Sequence, residues 1–203
     1  MLQLFIAIII ISGILISGTS RIKIVIASFT FQSLAIGLLC IGLGYTYGEE
    51  HFYILALITV LVKVIAIPYI VNVSIKKLKV NRELNLVING YYSFILSSIY
   101  ILLIAAFFKG FDNVYFKTAV FLVLIGATVI VGRRKAITQM FGFLILENGI
   151  ILFEISSIKI PMVLEAGMAF EVLILALIMG IMIFHINRTF DSVNTDFLTD
   201  LKE

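Results

Sequence analysis

Long apolar runs separated by short polar breaks recur along the whole chain. Seven stand out: Leu2–Thr19, Ile24–Gly44, Tyr53–Val73, Tyr91–Phe108, Val114–Val131, Thr138–Ile155 and Met162–Ile186. At ~1.5 Å rise per residue the shortest is ~27 Å long, within the range of about 17–25 residues that crosses a hydrocarbon core of about 30 Å. Backbone groups in lipid find no water, so each crossing is predicted as an α-helix. Membrane strands would show weak alternating segments, whereas these runs are continuous. The predicted fold class is an all-α polytopic membrane protein with about seven transmembrane helices, as a single membrane domain over 1–203. Within it we expect a three-helix unit over 1–75, a connecting helix over 91–108, a second three-helix unit over 114–186 and a polar tail over 187–203.

Charge between the runs gives a direction. One face receives Arg21, Lys23, Lys76, Lys77, Lys79, Arg82, Arg133, Arg134, Lys135, Arg188 and Lys202. The other receives Glu49, Glu50, Asp112 and Glu165, with Lys109, Lys117 and Lys159. Basic loops stay in the cytoplasm. The expected topology is a multi-pass protein of the inner (cytoplasmic) membrane, its N-terminus outside and its C-terminus cytoplasmic. Met1–Ser20 opens without a basic stretch, so no cleavable signal is expected.

Composition narrows the function. Hydrophobic types make up 62% of the 203 residues and charged types 13%. An average soluble domain is roughly 45–50% apolar and about 25% charged, and this chain has too few polar residues to cover a water-facing surface. The net charge of +3 reflects the basic loops and is no nucleic-acid footprint. A single cysteine, Cys40, excludes disulfides within the chain and thiolate metal sites. His51 and His185 are far apart, and no phosphate-binding, metalloprotease or nucleophile-elbow motif appears. No cofactor is expected on this chain, and no catalytic site of its own.

The informative residues are those that lipid rejects. A charged side chain at the bilayer centre costs roughly 2.5–3.5 kcal/mol. Glu147 lies ~18 Å along its helix from Lys135, Lys63 ~18 Å from His51, and Glu171 ~15 Å from Pro161. All three fall near the midplane. A carboxyl in a medium of low dielectric constant titrates closer to neutral pH than one in water, and a lysine there gives up its proton more readily. One reading is therefore a proton relay through Glu147, Glu171 and Lys63. The other is that neighbouring subunits satisfy these groups, which then only hold helices together. Glu154, seven residues after Glu147 and on the same helical face, is either an exit step of the relay or a carboxyl reaching the headgroups. Gln32 is the polar counterpart of Glu147 in the second span.

Those positions also suggest a parallel 3+1+3 repeat. In spans one to three and five to seven a short basic loop precedes the second span. A polar residue (Gln32 or Glu147) then sits in mid-membrane, and an ionisable one (Lys63 or Glu171) follows in the third span. Pro68 removes a helical donor five residues after Lys63 and is expected to kink that span, as a hinge or as a packing feature. Gly142 and Gly149 flank Glu147 and permit close helix contact. Asn148 is a candidate to bond between helices or to orient Glu147. Phe190, Phe197 and Leu201 would dock the tail on a partner.

The run Ile137-Thr-Gln-Met-Phe-Gly-Phe-Leu-Ile-Leu-Glu-Asn-Gly149 resembles the Q-I-F-G-x-x-x-x-E-N-G run of hydrogenase-4 component E, a membrane subunit of formate hydrogenlyase-like complexes. Val163-Leu-Glu-Ala-Gly-Met-Ala-Phe-Glu171 is similar to that family's L-V-E-I-G-I-A-T-D, and the ending Val193–Lys202 to its V-N-N-L-x-x-L-K tail. Phe31-Gln32-Ser33 and Val62-Lys63-Val64 resemble polar positions of its second and third spans. The last three spans also resemble the K subunit of respiratory complex I and the C subunit of Mrp antiporters. There the chain departs, because the K subunit's middle-span glutamate falls at Leu144, one turn before Glu147. The resemblance implies a non-catalytic subunit in the membrane arm of a complex I-like [NiFe] hydrogenase that moves protons or sodium. Its implied partners are integral membrane subunits, antiporter-like subunits among them, and lipid.

A stand-alone ion-coupled secondary transporter is the alternative, and a structural scaffold a third reading. The topology has a direct test. A reporter fused after Glu203 is expected to be active only on the cytoplasmic side, and activity outside would overturn the seven-span reading.

Overall fold

The computed structural model describes residues 2–78 and 88–157, all of them in helices or short connections. The elements are α1 (Leu2–Gly18), α2 (Ile22–Tyr47), α3 (Glu50–Ile58), a π-helical stretch (Thr59–Ala66), α4 (Ile67–Leu78), α5 (Gly90–Phe107), α6 (Val114–Gly132) and α7 (Ala136–Ser156). Five spans among them are long and apolar enough to cross a membrane: Ile22–Tyr47, Glu50–Val73, Gly90–Phe107, Val114–Gly132 and Ile137–Ser156. Leu2–Gly18 is a shorter apolar helix. The expected seventh span, Met162–Ile186, lies outside the described residues, as do Glu171, Glu165, His185 and the tail.

Polar and apolar positions are distributed inside out relative to a soluble protein. Phe31 is 64% exposed while the next residue, Gln32, is fully buried. Leu4, Ile11, Leu57, Tyr69, Leu102 and Val131 also face outward, and Ser33, Thr59, Lys63, Glu147 and Asn148 face inward. Lipid accepts the first set and rejects the second. This arrangement is compatible with a multi-pass membrane protein.

The longest helix, α2, runs through the middle and touches α1, α3, the π-helical stretch, α4 and α7. Gly48 ends it in the left-handed region, at φ 72°, with its N–H donating to the Gly44 carbonyl at 2.9 Å. The helix α1 buries Ile6, Ile9, Ser12, Gly13, Ile16 and Ser17, one stripe at helical spacing. Serine and tyrosine hydroxyls attach α5: Ser17 Oγ lies 3.2 Å from Ser97 Oγ, and Tyr100 Oη lies 2.9 Å from Thr128 Oγ1.

The helices α6 and α7 form the tightest pair. Their backbones meet because glycines line the crossing. A Cβ on Gly126 would lie 2.7 Å from the Gly142 carbonyl oxygen, and one on Gly142 2.9 Å from the Ile130 nitrogen. A Cβ on Gly149 would lie 3.0 Å from the Ala119 carbonyl oxygen. Small residues let membrane helices approach closely enough for dispersion to hold them. Both ends of the hairpin are also tied. Asn113 Oδ1 accepts from Tyr115 N and Phe116 N at 3.1 and 3.2 Å, and its Nδ2 donates to the Ser156 carbonyl at 3.1 Å. One side chain thereby caps the start of α6 and the end of α7.

At the opposite end Arg133 departs from its expected role as a mere loop charge. It is buried, and its Nη2 donates to the carbonyls of Ser17 at 2.7 Å and Thr19 at 2.8 Å. Carbonyls at a helix C-terminus lack intrahelical donors, and a guanidinium supplies several in a fixed fork. Gln139 Nε2 satisfies the end of α6 in the same way, donating to the carbonyls of Ile130 at 3.3 Å and Arg133 at 2.8 Å. The molecule thus has a basic end, with Arg21, Lys23, Arg133 and Arg134, and a weakly acidic end, where Glu49, Glu50 and Asp112 accompany Lys109 and Lys117.

Gly142→Val is expected to force the α6–α7 backbones apart and to cost about 1–3 kcal/mol. Gly110→Ala, where a Cβ meets nothing within 4 Å, is expected to be neutral. Thermal unfolding of the two variants in detergent extracts checks this. Equal stability of both would contradict the close crossing.

Candidate functional site

Three elements bring the expected polar residues of the described chain to one place. Lys63, in the π-helical stretch, has its Nζ 3.3 Å from Oε1 of Glu147 on α7, and both side chains are fully buried. Lys63 Nζ also donates to Oδ1 of Asn148 at 3.1 Å. An ammonium has only donors, so it fixes which end of the Asn148 amide faces it. The amide nitrogen then points the other way, to Oε1 of Gln32 at 3.1 Å and Oγ of Ser33 at 3.4 Å on α2. Gln32 is oriented in turn, and its Nε2 donates to the Ile9 carbonyl of α1 at 3.2 Å. A polarised chain of hydrogen bonds therefore runs from the buried cation through two amides to a backbone carbonyl. Gly13 leaves room for it, since a Cβ there would lie 3.5 Å from Gln32 Nε2 and 3.2 Å from Leu122.

The third span is not the plain α-helix expected from its apolar run. Thr59–Ala66 is π-helical, and the Ile67 N–H bonds to the Val62 carbonyl, five residues back. Pro68 stands two residues after it and is buried. A proline ring collides with the carbonyl four residues before it, here that of Val64. The wider π turns give that carbonyl space, so the distortion expected at Pro68 takes this form beside Lys63.

This change of register has a second effect. Residues twelve apart on an α-helix point about 120° apart, so His51 and Lys63 should face different neighbours. Both face α7. His51 Nε2 lies 3.1 Å from Oε1 of Glu154, while Lys63 meets Glu147. Glu147 and Glu154 are seven residues apart and share one face of α7, as expected. The π-helical turns advance by fewer degrees per residue than α-helical ones and so bring His51 into line with Lys63. Glu154 is 2% exposed and His51 20%, and His51 follows Glu49 and Glu50, so this second pair lies toward the acidic end.

The structure thus joins Gln32, Lys63 and Glu147 and sets Glu154 one step along the same helix. Glu171 lies outside the described residues. Asn148 bonds between helices, to Lys63 and Gln32, as one of its two expected roles required. Sequence reasoning missed the pairing of His51 with Glu154. Its signal was present only as a histidine at a span end and a carboxyl at the end of another, both ~18 Å and ~10 Å from the midplane pair along their helices.

No family profile matches the chain, and no solved structure matches it. "Uncharacterized protein Rv0085" of Mycobacterium tuberculosis is 30% identical to it over 82 residues, which are 40% of this chain. The match spans 37% of that protein's length.

Removing one partner from a buried ion pair leaves an uncompensated charge and costs about 3–5 kcal/mol. Lys63→Met alone is expected to lower thermal stability accordingly. Lys63→Met with Glu147→Gln is expected to regain most of the loss. If the double variant unfolds no later than Lys63→Met, the two side chains are not energetically coupled.

Proposed function

We propose that this chain is a non-catalytic, ion-translocating membrane subunit of a larger redox-driven assembly, of the complex I-like [NiFe] hydrogenase type. The observation that carries the reading is the fully buried ion pair of Lys63 and Glu147 inside a bundle whose outer surface is apolar. A scaffold gains little from such a pair, because apolar residues of similar volume usually hold a core as well or better. Charges kept at this depth mark ion pathways by default. The run Ile137–Gly149, through which the chain resembles hydrogenase-4 component E, supports the host assignment. Several of its polar or small positions have separate tasks: Gln139 caps α6, Gly142 and Gly149 admit α6, and Glu147 and Asn148 meet Lys63.

In this reading Glu147 accepts and releases the moving proton. Lys63 alternates between holding the Glu147 carboxylate and releasing it when that carboxyl is protonated, while its bond to Asn148 persists. Gln32 and Ser33 position Asn148. Glu154 continues the path toward the acidic end, and Glu171 is its further carboxyl. The basic end faces the cytoplasm of the inner membrane. Integral membrane subunits, antiporter-like ones among them, cover exposed faces such as that of α5, and lipid covers the rest. The ion is a proton, or a sodium ion whose site the same carboxyls would form.

Affinity purification from native membranes is expected to recover the chain with integral membrane subunits and a hydrogenase arm. Within that complex, Glu147→Gln keeps shape but removes titration. It is expected to leave dye-linked hydrogenase turnover intact while coupled ion movement falls. Glu171→Gln is expected to act likewise, with Glu171→Asp milder. Parental ion movement in assembled Glu147→Gln complexes would refute the relay. A chain that purifies alone and transports in liposomes would favour a secondary transporter.

A further inference from the structure

We propose that His51 is the aqueous port of this relay, the side chain that exchanges protons between water at the acidic end and the buried carboxyl of Glu154. The proposal rests on the relay reading and adds to it a residue and a step. Exposure falls in order along the groups concerned. The His51 side chain is 20% exposed, Glu154 is 2% exposed, and Glu147 and Lys63 are fully buried. Only the imidazole of this set is partly exposed, at the end of its span, and also lies within hydrogen-bond distance of a carboxylate in the bundle, at 3.1 Å. The ionisable group facing it from α7 is Glu154; its own segment contributes Glu49 and Glu50, both exposed, and the Phe52 ring packs edge-on with centroids 5.6 Å apart.

Imidazole suits a port because it has two nitrogens. With Nε2–H donating to Glu154, the ring takes a proton from hydronium at Nδ1 and becomes imidazolium. The Nε2 proton then passes to Oε1 of Glu154. The ring is left neutral with its proton on Nδ1, the carboxyl is neutral, and one proton has moved from water to the carboxyl. After Glu154 passes its proton on, the ring turns its Nε2 edge to water, takes a proton there from one water-borne donor and gives the Nδ1 proton back to water, which restores the first tautomer with no net proton moved. The reverse sequence delivers a proton outward. The ~10 Å along α7 between Glu154 and Glu147 is the next interval of the path.

The test uses the assembled complex in sealed vesicles, with ion movement and dye-linked turnover measured together. His51→Gln can still bond to Glu154 but cannot carry a proton. It is expected to slow proton movement at least about tenfold at unchanged dye-linked turnover. His51→Ala is expected to fall equally and to recover with added imidazole, whereas Glu154→Gln is not expected to recover. Co-purification of partner subunits confirms assembly of each variant. Parental proton movement in His51→Gln overturns the port, as does failure of imidazole to restore His51→Ala. Glu147→Gln is measured alongside. If it blocks movement while His51→Gln does not, the relay stands and the port is elsewhere; if neither has an effect, both readings fall.

Discussion

A lysine that cannot reach water needs an anion and acceptors within a few ångströms, and Lys63 finds them on helices distant in sequence. Glu147 and Asn148 come from α7, and Gln32 and Ser33, which hold Asn148, come from α2. Isolated, each of these groups would be costly in a medium of low dielectric constant. Together they define how α2, α7 and the third span must stand relative to one another. The central position of α2 follows, since it must present Gln32 toward both α1 and α7.

Close apolar packing makes that placement rigid. The glycine-lined crossing fixes the rotation of α7 against α6, and Asn113 and Gln139 tie the two helices at opposite ends. Glu147 and Asn148 are adjacent to Gly149, so a small rotation of α7 would move both away from Lys63. Arg133 extends the restraint to α1, whose Ile9 carbonyl ends the hydrogen-bond chain. Packing residues and polar residues therefore act on one geometry. The apolar contacts hold the helices at a spacing that the ion pair needs, and the ion pair specifies the register of otherwise similar apolar surfaces.

Much of this was legible in the sequence because membrane helices are governed by few rules. Apolar runs of the right length gave the five long spans of the described residues, and depth counted in residues put Lys63 and Glu147 at one level. The 3.6-residue period also placed Glu154 on the face of Glu147. The same period hid His51. It assigns His51 and Lys63 to faces a third of a turn apart, and only the π-helical stretch aligns them. Arg133 was hidden for another reason. Counted among loop charges it signals topology, and nothing local shows that the carbonyls it satisfies belong to a helix more than a hundred residues earlier. The direction of the Asn148 amide is likewise set by a cation in another span, not by its neighbours in sequence.

The long separation of the ion-pair partners also bears on how the chain enters the bilayer. Asn148 follows Lys63 by 85 residues. At about 5–20 residues per second, the ribosome needs several seconds to reach the partners of a lysine already in its span. That span must therefore enter lipid on its own apolarity, and Glu50–Val73 is the most apolar of the five long spans. The span that arrives with Glu147, Asn148 and Glu154, Ile137–Ser156, is the least apolar of the five. By then Lys63, Gln32 and His51 are in place to receive it. Among these five spans, the one that carries the lysine is apolar enough to insert unaided, and the one that brings its partners completes its insertion by joining groups already in the membrane.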